Sequence, residues 1–277
     1  MFKCTGLLIP LLLLGCLANT NENITTPGGT IQIYYPTIKD IPTPPGYERL
    51  NQPAGSFGAW LRSISLKKDN RVHLYNGDLK RNQQAQFAVL DISVGETDLQ
   101  QCADAVMRLR AEYLFANKKY DSILFFATSG QAMPFKEWRK GMRYHVKGNR
   151  LVAYQDASAT GLSPRRQLDS FLPFVFTYAG TLSLEHQLSP AGMSWLRPGD
   201  VLVRGGSPGH AMLVTDVAVN SQGKKIYLLS QSYMPAQDIH IVKNPANADS
   251  DPWYELDETA AIVTPEWRFR VKDLRQW

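Results

Sequence analysis

Between Arg197 and Lys243 apolar residues gather in three short runs, broken by Gly, Pro, Ser and Asn. The chain reads R-P-G-D-V-L-V-R-G-G-S-P-G-H-A-M-L-V-T-D-V-A-V, then K-K-I-Y-L-L-S-Q-S-Y, then D-I-H-I-V-K. Runs of this length with turn residues between them predict three strands of one sheet, and His210 opens the second. Upstream the period changes. Leu99, Cys102, Ala103, Val106, Leu109 and Tyr113 recur at helical spacing and predict a helix over Thr97 to Asn117. Thr97 with Gln100 makes a capping-box pattern, and Asp98 suits the positive end of a helix. On that reading Cys102 lies more than one turn inside the helix, on its buried side. Two further helices follow from capping residues. Ser56 precedes Phe57, Trp60, Leu61 and Ile64 on one face. Ser163-Pro164 opens a helix that runs past Phe171, Val175 and Phe176 towards Leu188, with Pro173 a kink and Gly180 a weak point.

Strands are expected at Thr30 to Tyr35, Gln86 to Val94 and Ser122 to Thr128, and a hairpin turn at Asn76-Gly77. Pro36, Pro42, Pro44 and Pro45 predict an extended arm. Phe135 to Tyr144, with Trp138 and mixed basic charge, fits no single element. Asn244 to Trp277 reads as a loop-rich tail, with Trp253, Trp267 and Trp277 packing it onto the body. Helices mixed with antiparallel strands define an α+β fold class. The 277 residues, 44 % of them hydrophobic, suffice for a sizeable core.

The first sixteen residues read M-F-K-C-T-G-L-L-I-P-L-L-L-L-G-C. Lys3 supplies a short positive start, and the apolar run from Gly6 to Leu14 is too short for an ordinary membrane-spanning helix. Its end, Leu13-Leu14-Gly15-Cys16, resembles a bacterial lipobox. The resemblance implies cleavage before Cys16, lipid on that cysteine, and a place in the bacterial cell envelope, on the periplasmic face or the cell surface. Several acyl chains anchor firmly where one binds only marginally. Leu17 to Gly29 is polar and small, as a tether is. Cys4 then leaves with the signal, Cys16 carries lipid, and Cys102 remains without a cysteine partner.

Net charge is +5, spread as short basic pairs with no long run, so nucleic-acid binding is not expected. No Gly-rich phosphate loop is present. His145, His186 and His240 have no metal-ligand spacing, so no cofactor or metal is expected. His73, alternating with Tyr75, reads as an ordinary strand residue.

What remains is a thiol and an imidazole. A thiol becomes a nucleophile when a helix start or a neighbouring histidine favours its thiolate. Cys102 lies in the first turns of the predicted helix, and His210 follows Ser207-Pro208-Gly209 at a strand start. A third polar group must orient the ring. On the next strand Ser230 and Ser232 point to one face and Gln231 to the other. Gln231 accepts a hydrogen bond best, with either serine the alternative. Asp216, six residues along the His210 strand, is about 20 Å away by strand rise and out of direct reach.

Pro198-Gly199-Asp200, Gly209-His210 and Ser230-Gln231-Ser232 resemble the turn, histidine strand and third-residue strand of papain-like cell-wall peptidases and amidases, the NlpC and CHAP groups. Gln101-Cys102-Ala103-Asp104 stands where their nucleophile does. The resemblance implies a papain-like fold, with Cys102 as nucleophile, His210 as general base and Gln231 as orienting group. It also implies peptidoglycan or a related envelope polymer as partner. The whole chain, with P-P-G-Y and Q-S-Y-M-P-A-Q, also resembles an envelope lipoprotein family known only as a domain of unknown function. The expected organisation is a signal over 1–15, a tether over 16–29 and one globular domain over 30–277. That domain divides into a β-rich extension (30–95), a papain-like part (96–243) and a tail (244–277). The competing expectation is a non-catalytic envelope lipoprotein that binds glycan or peptide, or supports an outer-membrane assembly, with the same fold.

Overall fold

Strands that are apolar at every position need cover on both faces. The computed structural model describes Met1, residues 22–25 and residues 31–277. Cys16 and most of the expected signal and tether lie outside the described residues. Within the first compact unit, Met1–Tyr34, strands Glu22–Thr25 and Ile31–Tyr34 pair antiparallel.

The second unit, Tyr35–Trp277, is built on a nine-stranded antiparallel sheet. Its strands are β1 (Tyr47–Arg49), β2 (Gln86–Val89), β3 (Ser189–Pro190), β4 (Val201–Arg204) and β5 (His210–Asn220). They continue with β6 (Lys225–Gln231), β7 (His240–Val242), β8 (Tyr254–Glu255) and β9 (Leu274–Gln276). The spatial order is β2-β7-β6-β5-β4-β9-β3, with β1 added to β5 and β8 to β6. The helices are α1 (Phe57–Arg62), α2 (Cys102–Ala116), α3 (Phe135–Arg139), α4 (Pro164–Tyr178) and α5 (Thr181–Gln187). The fold is mixed α+β.

Alternation explains the unbroken apolar runs. Val201, Val203, Ala211, Leu213, Ile226 and Leu228 join the larger core, which includes Val106, Leu109 and Phe171 from the helices. The residues between them, Leu202, Met212, Val214, Tyr227 and Leu229, join a second core with Phe269 and Leu274 from the tail. The tail is thus more than a covering: β9 is an interior strand between β4 and β3. The segment that fitted no single element is α3 followed by a hairpin of Met142–Lys147 and Arg150–Gln155. Ser56 and Ser163 cap α1 and α4 through side-chain oxygens, as expected. The predicted weak point at Gly180 is a full break, since α4 stops at Tyr178 and α5 starts at Thr181. At the Asn76-Gly77 turn, Gly77 takes φ +86° and the Leu74 N–H donates to the Asp78 carbonyl at 2.8 Å.

The one carboxylate on β5 is Asp216, at a bulge where the register with β6 shifts. Its side chain is fully buried and pairs with Arg49 at 2.6 Å and Arg62 at 2.6 Å, joining β1 and α1 to the sheet. Removing the carboxylate would leave two largely buried guanidinium groups without their counter-charge. Asp216→Ala should therefore cost about 3 kcal/mol or more, read as a lowered urea midpoint. An unchanged midpoint would show that the triad contributes nothing.

Candidate functional site

The thiol is placed by the start of α2. That start differs from the expected one: the helix begins at Cys102 rather than near Thr97. Two capping patterns overlap here, and tertiary contacts select the second. The Asp98 carboxylate accepts from the Ala236 N–H at 2.7 Å, and the Gln100 carbonyl accepts from the Ser232 hydroxyl at 2.9 Å. Gln101 then becomes the cap, its N–H donating to Asp104 Oδ2 at 3.0 Å. Cys102 is in consequence the first helical residue, where backbone N–H groups lack intrahelical partners.

The imidazole is placed by the turn between β4 and β5. Gly209 admits no side chain: a Cβ there would lie 2.4 Å from Thr181 Oγ1, 2.5 Å from the Gly206 carbonyl and 2.8 Å from the Arg204 carbonyl. This close approach delivers His210 as the first residue of β5. The Pro198-Gly199-Asp200 turn braces β4 from its other end. Gly199 has φ +99°, and the Asp200 carboxylate accepts from the Arg197 N–H at 3.0 Å.

Register decides the third group. Leu213 faces Ser230 and Val214 faces Leu229 across β5 and β6. Alternation then turns His210, Met212 and Val214 to the same face as Leu229 and Gln231. Gln231 Oε1 lies 2.8 Å from His210 Nε2. Ser230 and Ser232 face away; the Ser232 hydroxyl sits between the carbonyls of Gln100 and Gln237. Of the three candidates, Gln231 is the one that meets the ring.

Cys102 and His210 line one cavity of about 490 Å³. Its walls come from the start of α2, the break between α4 and α5, the Gly206–Gly209 turn, and the Tyr233–Met234 and Trp267 loops. The His210 ring packs against Tyr233, Trp267 and Phe269, with centroids 4.8, 5.2 and 5.8 Å away. Burial dominates the electrostatics. It pushes the Cys102 thiol up to about 11; Asp104 adds to this, while nearby N–H groups, first that of Ala211, oppose it. It pushes the His210 ring down to about 4, with Lys80 adding to this and the hydrogen bond to Gln231 opposing it. Thiol and ring are both neutral near pH 7, and among the described residues no hydrogen bond joins them.

Other residues singled out by sequence lie elsewhere. His73 Nδ1 is 3.7 Å from Asp238 Oδ2, and His145 packs on Tyr154 in the hairpin. Asp216 is committed to its two arginines. His240, given no role from spacing, stands directly across from Gln231 in the β6–β7 ladder. Among the described residues no group of three or more His, Cys, Asp or Glu side chains is arranged to hold a metal ion. No described helix is long and apolar enough to cross a membrane. Residues at the site that were not foreseen as part of it include Tyr233, Trp267 and Phe269 on the ring, and Glu266 and Lys80 behind Gln231.

The sheet, the helix start and the cavity between them define a mixed α+β domain with one thiol–imidazole–amide site. The chain belongs to the family described as a domain of unknown function, DUF4846, whose profile matches residues 38–276. Comparison with curated proteins and with solved structures finds no match.

Asp104 gives this site a pH signature. Burial raises its carboxyl to about 8, so the folded protein holds that proton more tightly than the unfolded chain. The stability it contributes is complete below about pH 4 and is lost as pH rises through about 8. Asp104→Asn should melt progressively higher than wild type across that window, and its Cys102 alkylation profile should shift to lower pH. Parallel melting curves and an unmoved profile would show that the carboxylate is neither destabilised by burial nor felt by the thiol.

Proposed function

We propose that this protein is a cysteine hydrolase of papain-like architecture, anchored in the cell envelope through lipid on Cys16, acting on cell-wall peptide or related amide bonds. The observation that carries the reading is the shared cavity, with Cys102 opening a helix, His210 opening a strand and Gln231 bonded behind the ring. With Nε2 engaged by Gln231, Nδ1 is the nitrogen left to act as base. It takes the thiol proton as sulfur attacks the amide carbonyl carbon. The carbonyl oxygen gains the electron pair, and the Cys102 N–H at the helix start can stabilise it. Collapse of that adduct breaks the C–N bond, and the protonated ring gives its proton to the departing amine. Water then cleaves the thioester by the same route in reverse, restoring thiol and ring.

The same burial favours a second reading. Transfer of a proton from a thiol at about 11 to a ring at about 4 is steeply uphill while both stay dry. A non-catalytic envelope lipoprotein that binds peptide or glycan in this cavity would not need that transfer.

Three measurements separate the readings. Wild-type protein incubated with cell-wall stem peptides should release amine, and Cys102→Ala should abolish release. His210→Ala should lose about 10²-fold or more and should also slow alkylation of Cys102 by iodoacetamide. Since the ring is an active base only when unprotonated, hydrolysis should fall as pH drops through about 4. Peptide binding without hydrolysis, unaffected by Cys102→Ala, would establish the binding protein instead. For the anchor, Cys16→Ser should move the protein from the detergent phase to the aqueous phase in Triton X-114 partition. Retention in the detergent phase would refute the lipid.

A further inference from the structure

We infer that Glu266, held by Lys80, is a positioning residue that fixes the tautomer of His210 through the Gln231 side chain. The tautomer assignment stands on geometry alone; its catalytic value rests on the hydrolase reading above.

A glutamine amide has two ends of nearly equal shape, and only its partners decide which way it points. Here each end has partners of defined character. The amide nitrogen of Gln231 lies 2.8 Å from Glu266 Oε2, and an ionised carboxylate only accepts. The same nitrogen lies 3.3 Å from His240 Nε2. His240 Nδ1 is 2.9 Å from the Asp238 carbonyl, which also only accepts, so Nδ1 carries the His240 proton and Nε2 offers a lone pair. Both amide hydrogens are therefore used. Flipping the amide would set its carbonyl oxygen against a carboxylate and a ring lone pair. Oε1 is left to face His210 Nε2 at 2.8 Å, so that nitrogen must bring the hydrogen. Nδ1 of His210 keeps its lone pair.

The order depends on Glu266 acting only as an acceptor, and donors surround both of its oxygens. Lys80 Nζ lies 2.6 Å from Glu266 Oε2, and Asn82 Nδ2 lies 3.2 Å from Oε1. Lys80 is buried, so it needs this carboxylate as much as the carboxylate needs it. Glu266 also precedes Trp267, whose ring covers His210. One turn of the tail thus sets both the ring's proton and its packing. Neither Glu266 nor Lys80 lines the cavity, so neither touches what binds there.

The test is the tautomer of His210 in the full chain, read by two-bond ¹H–¹⁵N correlation of the imidazole. Wild type should show the Nε2–H form. Glu266→Gln gives the Gln231 amide a partner that can donate or accept, and the Nδ1–H form should rise from a trace to a comparable share. Because Glu266→Gln strands Lys80 and can unfold the chain, the double variant Lys80→Met/Glu266→Gln keeps the measurement available. It should show the same mixture. A His210 ring that stays fully Nε2–H in the folded double variant overturns the inference. A mixed tautomer supports it whether or not wild-type protein hydrolyses amides, so failure of the hydrolase reading is told apart. Where hydrolysis is present, kcat should fall with the share of the Nε2–H form while KM holds.

Discussion

Strand β5 is buried on both faces along nine consecutive residues, from His210 to Ala218, and paired on both edges. A dry strand tolerates a polar side chain only if that side chain is neutral or fully partnered. Both answers occur on β5. Asp216 is fully partnered, by two arginines from the N-terminal part of the unit. His210 is held neutral and bonded to an amide. The contrast explains why one end of the strand ties the fold together while the other opens into a cavity. It also explains the polarity behind the ring. A buried amide with three polar neighbours has to satisfy all of them at once, and that requirement propagates outward to Glu266, Lys80 and His240.

Burial sets the chemical character of the site as well. A solvated thiol at a helix start beside a histidine tends towards a thiolate–imidazolium pair. Here desolvation acts on thiol and ring in opposite directions, and both act to keep charge out of the cavity. The buried Asp104, raised to about 8, follows the same rule. A ligand that brings its own polar groups into the cavity changes the medium in which these groups titrate.

Much of this was legible from residues alone. Continuous apolar runs with turn residues between them marked β4, β5 and β6, and Ser56 and Ser163 marked helix starts. Alternation separated Gln231 from the two serines and acceptor strength favoured it, but only the β5–β6 register, which the sequence does not show, sets it on the face of His210. What failed did so for non-local reasons. Thr97 with Gln100 read as the cap, whereas the cap that forms is Gln101 with Asp104. The choice was made by Ala236 and Ser232, more than a hundred residues away in sequence, which occupy Asp98 and Gln100. Strand β9 is three residues long and owes its existence to its neighbours, so the tail read as loop. Glu266 and Lys80 resemble any surface charges in sequence. Their role comes from a pairing across 186 positions that no periodicity encodes.

The insertion of β9 between β4 and β3 bears on the order in which the molecule can be made. Thiol, ring and orienting amide are all synthesised before Glu266, Trp267 and the strand that closes the sheet. A growing chain therefore contains Cys102, His210 and Gln231 before it contains the tail residues that contact the amide and the ring and fill the second core. Contacts this distant in sequence must wait for loop closure. The surroundings of Cys102 and His210 are thus completed by the part of the chain that is made last.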